Sequence, residues 1–150
     1  MRQANDLYAA AVPHISAATL REWQGIVDLI VRFSGARVGL IMHAVGDEIE
    51  VCIASQTEGN PYRVGDRECL IGSGLYCERV IATQAPLLVP NALESAEWRD
   101  NPDVRLHMIA YLGVPICWPG GQPFGTLCLL DDQENAYSPD VLGLLERMRD

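Results

Sequence analysis

Thiols are the side chains of this sequence that offer the most chemistry. They form no C-x-x-C pair, and an odd number at these spacings fits neither a disulfide framework nor a zinc site. The five cysteines are Cys52, Cys69, Cys77, Cys117 and Cys128. Because four of the five lie in apolar or helical surroundings, we expect reduced thiols that are mostly structural. The redox role of Cys77 is left open, since Arg79 and the start of a predicted helix lie nearby.

Other candidate groups are more typical of structural roles. His43 is a lone histidine on a predicted strand, which favours a structural residue over a ligand or a base. The acidic run Asp131-Asp132-Gln133-Glu134 matches no Ca²⁺-binding loop, so we predict a solvated turn and no metal site. Gly72-Ser73-Gly74 precedes a helix but is not a G-x-G-x-x-G dinucleotide motif, so we expect a tight entry turn.

The composition excludes several functions. The chain has 20 acidic and 11 basic residues, a formal net charge of −9, and all 11 bases are arginine. Without lysine it has no Walker-type phosphate loop and no Schiff-base or kinase ATP lysine. Its acidity disfavours nucleic acid and anionic lipid as partners. No apolar run approaches the ~20 residues that span a bilayer, and the N-terminus lacks the apolar core of a signal peptide, so we expect a cytoplasmic protein.

The first half of the chain predicts a helix followed by a hairpin. Residues 1–18 are rich in alanine and are interrupted by a proline, which predicts a short lead-in helix. Thr19-Leu20-Arg21-Glu22 has the form of a capping box and begins an amphipathic helix that Gly35 ends. Residues 37–45 and 48–55 then form a strand pair, with the second strand nearer the sheet edge because one of its faces is partly polar.

The second half is organised around another hairpin. Residues 109–117 and 124–131 are apolar runs joined by a Gly/Pro-rich reversal, and their two apolar faces predict strands covered on both sides. Ser138 as N-cap and Pro139 begin a last helix, whose lack of a cap at Asp150 suggests a piece of a longer protein. Between the hairpins we predict a helix, a short strand and an irregular segment, at residues 75–83, 87–89 and 91–108.

Motifs in this half resemble GAF domains of bacterial signalling proteins. Their C-terminal hairpin is similar to Pro115-x-x-Trp118-Pro119-x-Gly121-x-x-Phe124-Gly125-Thr126-Leu127-Cys128-x-Leu130-Asp131. The segments that precede it there are similar to Gly72-Ser73-Gly74-Leu75-Tyr76-Cys77 and Pro86-Leu87-Leu88-Val89-Pro90-Asn91-Ala92. The resemblance implies an α+β fold with a central antiparallel sheet of five or six strands and the two hairpins side by side. It places the terminal helices on one face, a helix and loop lid on the other, and the GAF domain at residues 19–150.

The ligands known for branches of this family find little support in the sequence. Cys77 matches a cysteine of the branch that reduces free methionine sulfoxide, but the segment 91–95 lacks that branch's other cysteines. The cyclic-nucleotide set includes a lysine, which this chain does not have. A covalent bilin needs a cysteine beside a histidine, and His107 has none; His107 is also the only candidate axial ligand for a haem. The cofactor is therefore unknown.

The resemblance also implies a ligand pocket between sheet and lid, and a homodimer formed by the terminal helices. Candidate pocket residues are Tyr76, Cys77, Asn91, Trp98, Asp103, Met108, Tyr111, Thr126 and Cys128. Candidate dimer residues are Leu20, Trp23, Val27, Ile30, Val141, Leu145 and Met148, which carry more apolar surface than one sheet face should need.

These features predict a non-catalytic GAF domain that senses a small molecule or a partner and signals to an output domain outside this chain. A GGDEF cyclase, a histidine kinase and a PAS relay are possible outputs. Two alternatives remain open at this point. One is a cysteine-based redox enzyme of the free methionine sulfoxide reductase type, and the other is a purely structural dimerisation module.

Overall fold

Three α-helices and six strands lie within residues 15–149, the part of the chain that the computed structural model describes. The helices are α1 (Ala17–Ser34), α2 (Tyr76–Thr83) and α3 (Pro139–Met148). The strands are β1 (Val38–Val45), β2 (Glu48–Ala54), β3 (Arg67–Cys69), β4 (Leu87–Val89), β5 (Ala110–Cys117) and β6 (Pro123–Asp131). Two short 3₁₀ helices, Ala92–Glu94 and Pro102–Leu106, lie between β4 and β5. Among these described helices, none has the length and apolar character needed to cross a membrane.

The strands form one antiparallel sheet in the order β3-β2-β1-β6-β5-β4. Both predicted hairpins are present, and they lie side by side because β1 pairs with β6, with Met42 opposite Thr126. Strands β5 and β6 are buried over most of their length, as their apolar faces predicted. Strand β3 was not predicted, since its three residues are all exposed and show no apolar pattern. It pairs with the outer side of β2 and forms that edge of the sheet, so β2 lies nearer the edge than β1, as its partly polar face predicted.

The sheet separates two apolar clusters. Helices α1 and α3 contact each other and cover one face, while α2 and the two 3₁₀ helices cover the other. Neighbouring residues of β1 belong to different clusters. Leu40 and Met42 point towards α2, whereas Ile41 packs against the terminal helices. The predicted α+β architecture with a lid over one face is confirmed.

The helix boundaries agree with the sequence at α3 and differ at α1. Ser138 caps α3 by accepting a hydrogen bond from the Val141 amide at 3.3 Å, and Pro139 is its first residue, as predicted. Helix α1 begins earlier than predicted, because Ser16 and not Thr19 is its N-cap. Ala17 and Ala18 therefore belong to α1 and not to a separate lead-in helix. Residues 1–14 of that predicted element lie outside the described residues.

The candidate dimer residues lie mostly inside their own chain. Val27, Ile30, Val141 and Leu145 are buried against the sheet, and Leu20, Trp23 and Met148 are half-buried in the same cluster. The apolar surface that motivated the dimer is thus covered largely by the sheet itself. The large apolar side chains that α1 leaves exposed are Leu29 and Phe33, at 54% and 62% exposure. The dimer stays a prediction, but the four buried residues cannot contact a partner without leaving this core.

A close approach of β6 to β1 predicts the effect of one substitution. A Cβ atom at Gly125 would overlap the carbonyl group of Met42, whereas a Cβ at Gly143, within α3, would meet open space. We expect Gly125→Ala to lower the free energy of unfolding by about 3 kcal/mol, because the backbone of β1 has to move. The matched control Gly143→Ala should raise the free energy of unfolding by ~0.5–1 kcal/mol, because alanine favours the helix. Urea denaturation measures both, and equal stabilities for the two variants would contradict the proposed clash.

Candidate functional site

A cavity of about 280 Å³ lies between the sheet and the lid. Its floor is apolar and comes from Leu40, Met42, Ile49, Val51 and Leu130 on β1, β2 and β6. Its charged lining groups come from the β2–β3 connection, from β3 and from the lid. A small pocket with an apolar floor and a few polar groups has the general form of a site for a small organic molecule.

Asp103 is the buried acid of this cavity. The second 3₁₀ helix positions it: the Asn101 side chain accepts a hydrogen bond from the Asp103 amide at 2.8 Å and donates to the Trp98 carbonyl at 2.6 Å. The hydroxyl of Tyr62 donates to the Asp103 carboxylate at 2.7 Å. Burial raises the pKa of Asp103 to about 6, although the hydrogen bond from Tyr62 opposes this rise. Asp103 is therefore ionised at neutral pH and becomes protonated in mild acid.

Two buried thiols share the cavity wall. Cys77 lies at the second position of α2, and its sulfur is 3.4 Å from the Tyr111 hydroxyl and 3.3 Å from the Thr126 hydroxyl. Thr126 Oγ1 is also 4.0 Å from the sulfur of Cys128. The hydrogen bond with Cys128 lowers the pKa of Cys77, while burial raises the pKa of Cys128. Any negative charge on this pair is thus expected to lie on Cys77.

Aromatic packing holds the lid against the sheet. The Tyr76 ring stacks on Tyr111 with centroids 4.6 Å apart, and the ring of Trp98 lies 5.3 Å from that of Tyr76. The Tyr76 hydroxyl donates to the Met108 carbonyl at 3.0 Å. Aromatic stacking and this hydrogen bond fix α2 and its cysteine relative to β5.

The structure brings four of the nine candidate pocket residues to the cavity wall: Cys77, Asp103, Tyr111 and Cys128. Thr126 contacts Cys77 without lining the cavity itself. Three others, Tyr76, Trp98 and Met108, are buried in the cluster between lid and sheet. Asn91 is elsewhere, since its side chain caps the first 3₁₀ helix by accepting from the Leu93 amide at 3.0 Å.

The sequence did not predict the residues at the cavity mouth. Tyr62, Asp66, Arg67 and Glu68 line it, and they belong to a loop and an edge strand without apolar periodicity. The one available signal was an aromatic residue with a hydroxyl group, Tyr62, in an otherwise polar loop.

The positions of the cysteine and histidine side chains test several other expectations from the sequence. Cys69 and Cys117 are exposed and Cys52 is half-buried, so only Cys77 and Cys128 fit the predicted buried thiol. His107 is exposed at the end of the second 3₁₀ helix, which removes it as a haem ligand in the cavity. His43 stacks on Phe124 with centroids 4.3 Å apart, as expected for a structural histidine. Within residues 15–149 no three His, Cys, Asp or Glu side chains are grouped so as to hold a metal ion.

Solved structures with the same fold include a blue-light-absorbing GAF domain, a GAF domain of a phosphotransferase and a reductase. The GAF domain of PixJ from Thermosynechococcus elongatus, in its blue-light-absorbing form, has a TM-score of 0.70 at 16% identity, covering 91% of this chain and 86% of that one. The GAF domain of an Acinetobacter phosphoenolpyruvate-protein phosphotransferase has a TM-score of 0.67 at 16% identity, covering 87% of this chain and 75% of that one. The type II free methionine-R-sulfoxide reductase from Thermoplasma acidophilum has a TM-score of 0.66 at 12% identity, covering 87% of this chain and 86% of that one. At these identities the likeness establishes the fold alone.

The family is established by sequence as well. The family model of the GAF domain matches residues 20–149, and the chain belongs to the GAF domain family. No curated protein matches the sequence significantly.

The raised pKa of Asp103 predicts how stability depends on pH. The folded pKa of about 6 lies above the ordinary value of 3.8, so between these values the folded state binds more protons than the unfolded state. The contribution of Asp103 to the free energy of unfolding should therefore rise by up to about 3 kcal/mol as pH falls from about 7 to about 4. Asp103→Asn keeps an acceptor for Tyr62 and removes this titration. Denaturation of both proteins across this range gives the difference, and parallel pH profiles would contradict the prediction.

Proposed function

We propose that this domain is a non-catalytic regulatory domain that binds a small ligand with a cationic or hydrogen-bond-donating group in the cavity between sheet and lid. The observation that carries the proposal is one buried carboxyl group, Asp103, at the wall of a cavity with an apolar floor. Membership of the GAF domain family supports a regulatory role.

The charges of the cavity favour a ligand that is not an anion. Three acidic side chains, Asp66, Glu68 and Asp103, line it together with Arg67. The positive charge of Arg67 is already shared with Glu50, at 2.6 Å, and Glu48, at 3.8 Å. A carboxylate or phosphate ligand would face net negative charge, whereas a protonated amine or an N–H-rich ring would find a partner in Asp103.

The size of the cavity sets the size of the ligand. Its volume of about 280 Å³ lies just below the range of about 300–1,000 Å³ typical of pockets for drug-sized molecules. An apolar body the size of one ring would cover the floor formed by Leu40, Val51 and their neighbours. A dinucleotide or a linear tetrapyrrole would be too large unless the lid moved.

Strand β1 contacts both the cavity and the terminal helices, so a movement at one site can be transmitted to the other. Leu40 and Met42 form part of the floor, and Ile41 between them packs on the opposite face with α1 and α3. A ligand that shifts β1 therefore acts on both faces at once. We propose that such a shift biases the helix pair between two arrangements that an adjoining domain can detect.

Mass spectrometry tests ligand binding directly. The natively purified protein should retain a small molecule that dissociates on denaturation, and Asp103→Asn should retain much less of it because the ionic partner is lost. Asp100→Asn is the matched control, since Asp100 is an exposed acid of the same lid. In parallel, benzylamine should raise the melting temperature of ligand-free wild-type protein more than benzoate does. Equal responses to the amine and the acid, or equal retention in the two variants, would contradict the proposed role of Asp103.

The non-catalytic part of the proposal has its own test. The segment 91–95 lacks the other cysteines of the reductase branch, so we expect no NADPH-coupled turnover of free methionine sulfoxide in the presence of a thiol-reducing system. Turnover that disappears in Cys77→Ser, but not in Cys69→Ser, would replace the sensor proposal by a reductase.

A further inference from the structure

We propose that Cys77 and Cys128 are a peroxide-reactive dithiol that closes to an intramolecular disulfide across the wall of the cavity. This modification site is independent of the proposed ligand: it needs a small neutral oxidant and no ionic contact with Asp103.

The position of the two thiols carries the proposal. Cys77 and Cys128 are 7% and 0% exposed, yet both line the same cavity. They lie on different elements, α2 and β6, and the Thr126 hydroxyl stands next to both sulfurs, at 3.3 and 4.0 Å. The cavity therefore gives a small molecule access to a pair of thiols that are otherwise enclosed.

The surroundings make the two thiols chemically different. The sulfur of Cys77 has hydroxyl groups of Tyr111 and Thr126 within hydrogen-bond distance, and Cys77 lies in the first turn of α2, where backbone N–H groups favour negative charge. A hydrogen bond from Cys128 stabilises the thiolate of Cys77 and lowers its pKa. Cys128 stays protonated because burial disfavours its thiolate and raises its pKa. Cys77 is thus the attacking thiol and Cys128 the resolving thiol.

The other cysteines lack this arrangement. Cys52 lies on β2 with its side chain in the cluster of the terminal helices, on the opposite face of the sheet, and burial raises its pKa to about 11. Cys69 and Cys117 are exposed. Cys52 is therefore a shielded internal control, and Cys69 and Cys117 are two accessible ones.

The reaction balances with a hydroperoxide as oxidant. The Cys77 thiolate attacks one peroxide oxygen, the O–O bond breaks, and the leaving hydroxide takes up the proton that Cys77 had released, giving water and a Cys77 sulfenic acid. The thiol of Cys128 then attacks the sulfenic sulfur, and its proton leaves with the hydroxyl group as a second water. Two thiols are oxidised by two electrons and one hydrogen peroxide is reduced to two waters.

The disulfide between Cys77 and Cys128 would change the cavity that the two thiols line. It would tie the start of α2 to the middle of β6, next to the Tyr111 and Thr126 hydroxyls. Peroxide would therefore act on the proposed ligand site without competing for Asp103.

The experiment uses hydrogen peroxide on the full chain under native conditions. We expect the intact mass to fall by the mass of two hydrogen atoms, and peptide mapping to join the peptides of Cys77 and Cys128. The product should survive in Cys69→Ser and Cys117→Ser and be absent in Cys77→Ser. In Cys128→Ser the Cys77 sulfenic acid should accumulate and be trapped by dimedone, and Cys77 should be oxidised at least about tenfold faster than Cys52.

Several outcomes would overturn the proposal. Disulfides confined to Cys69 and Cys117, or oxidation of Cys77 no faster than that of Cys52, would show that the pair is not a reactive site. Circular dichroism of Cys77→Ser and Cys128→Ser checks that the loss of the cross-link is not a loss of fold. Asp103→Asn should still form the disulfide, so a failure of the ligand proposal is distinguishable from a failure of this one.

Discussion

Strand β6 pairs with β5 on one side and with β1 on the other, and the second of these pairings joins the two hairpins into one sheet. It demands a close approach at Gly125, where β6 passes the backbone of Met42 without room for a side chain. The register that results places Cys128 opposite Leu40 and Thr126 opposite Met42. Cys128 and Thr126 therefore lie beside the cavity floor because the two halves of the chain meet in this register.

The two faces of the sheet differ in chemistry. The face under α1 and α3 is apolar and aromatic, with Phe124 packed between Trp23 and His43. The face under the lid buries an acid, two thiols and a threonine hydroxyl among its apolar side chains. Buried polar groups need partners, and here they find them in each other and in the lid, as Tyr62 does with Asp103. The functional face is thus held together by interactions that are more specific, and more sensitive to substitution, than those of the helix face.

Much of this fold follows from local sequence signals. Capping and turn chemistry act over a few residues and can therefore be read from the sequence. Such local signals predicted the start of α3 at Ser138-Pro139, the turn between β5 and β6, and the short strand that ends before Pro90. The N-cap of α1 was misplaced because Ser16 and Thr19 are both acceptable caps and only the backbone conformation selects Ser16.

The site was less predictable, because its contacts join residues that are distant in sequence. Cys77 and Cys128 were both candidates, but their common neighbour Thr126 depends on how α2 crosses the sheet. The bond from Tyr62 to Asp103 links a loop to a lid that share no motif. Edge strand β3 gave no signal because exposed residues have no burial pattern to reveal them.

The hydrogen bond between Tyr62 and Asp103 joins two segments at the cavity that are not part of the sheet. One is the connection between β2 and β3, and the other is the lid that ends at β5. Loops of this kind tolerate insertions and deletions far better than paired strands do. The floor of the cavity can therefore stay constant while the length of the β2–β3 connection sets how large a molecule enters, so that ligand choice can diverge within this scaffold without repacking its core.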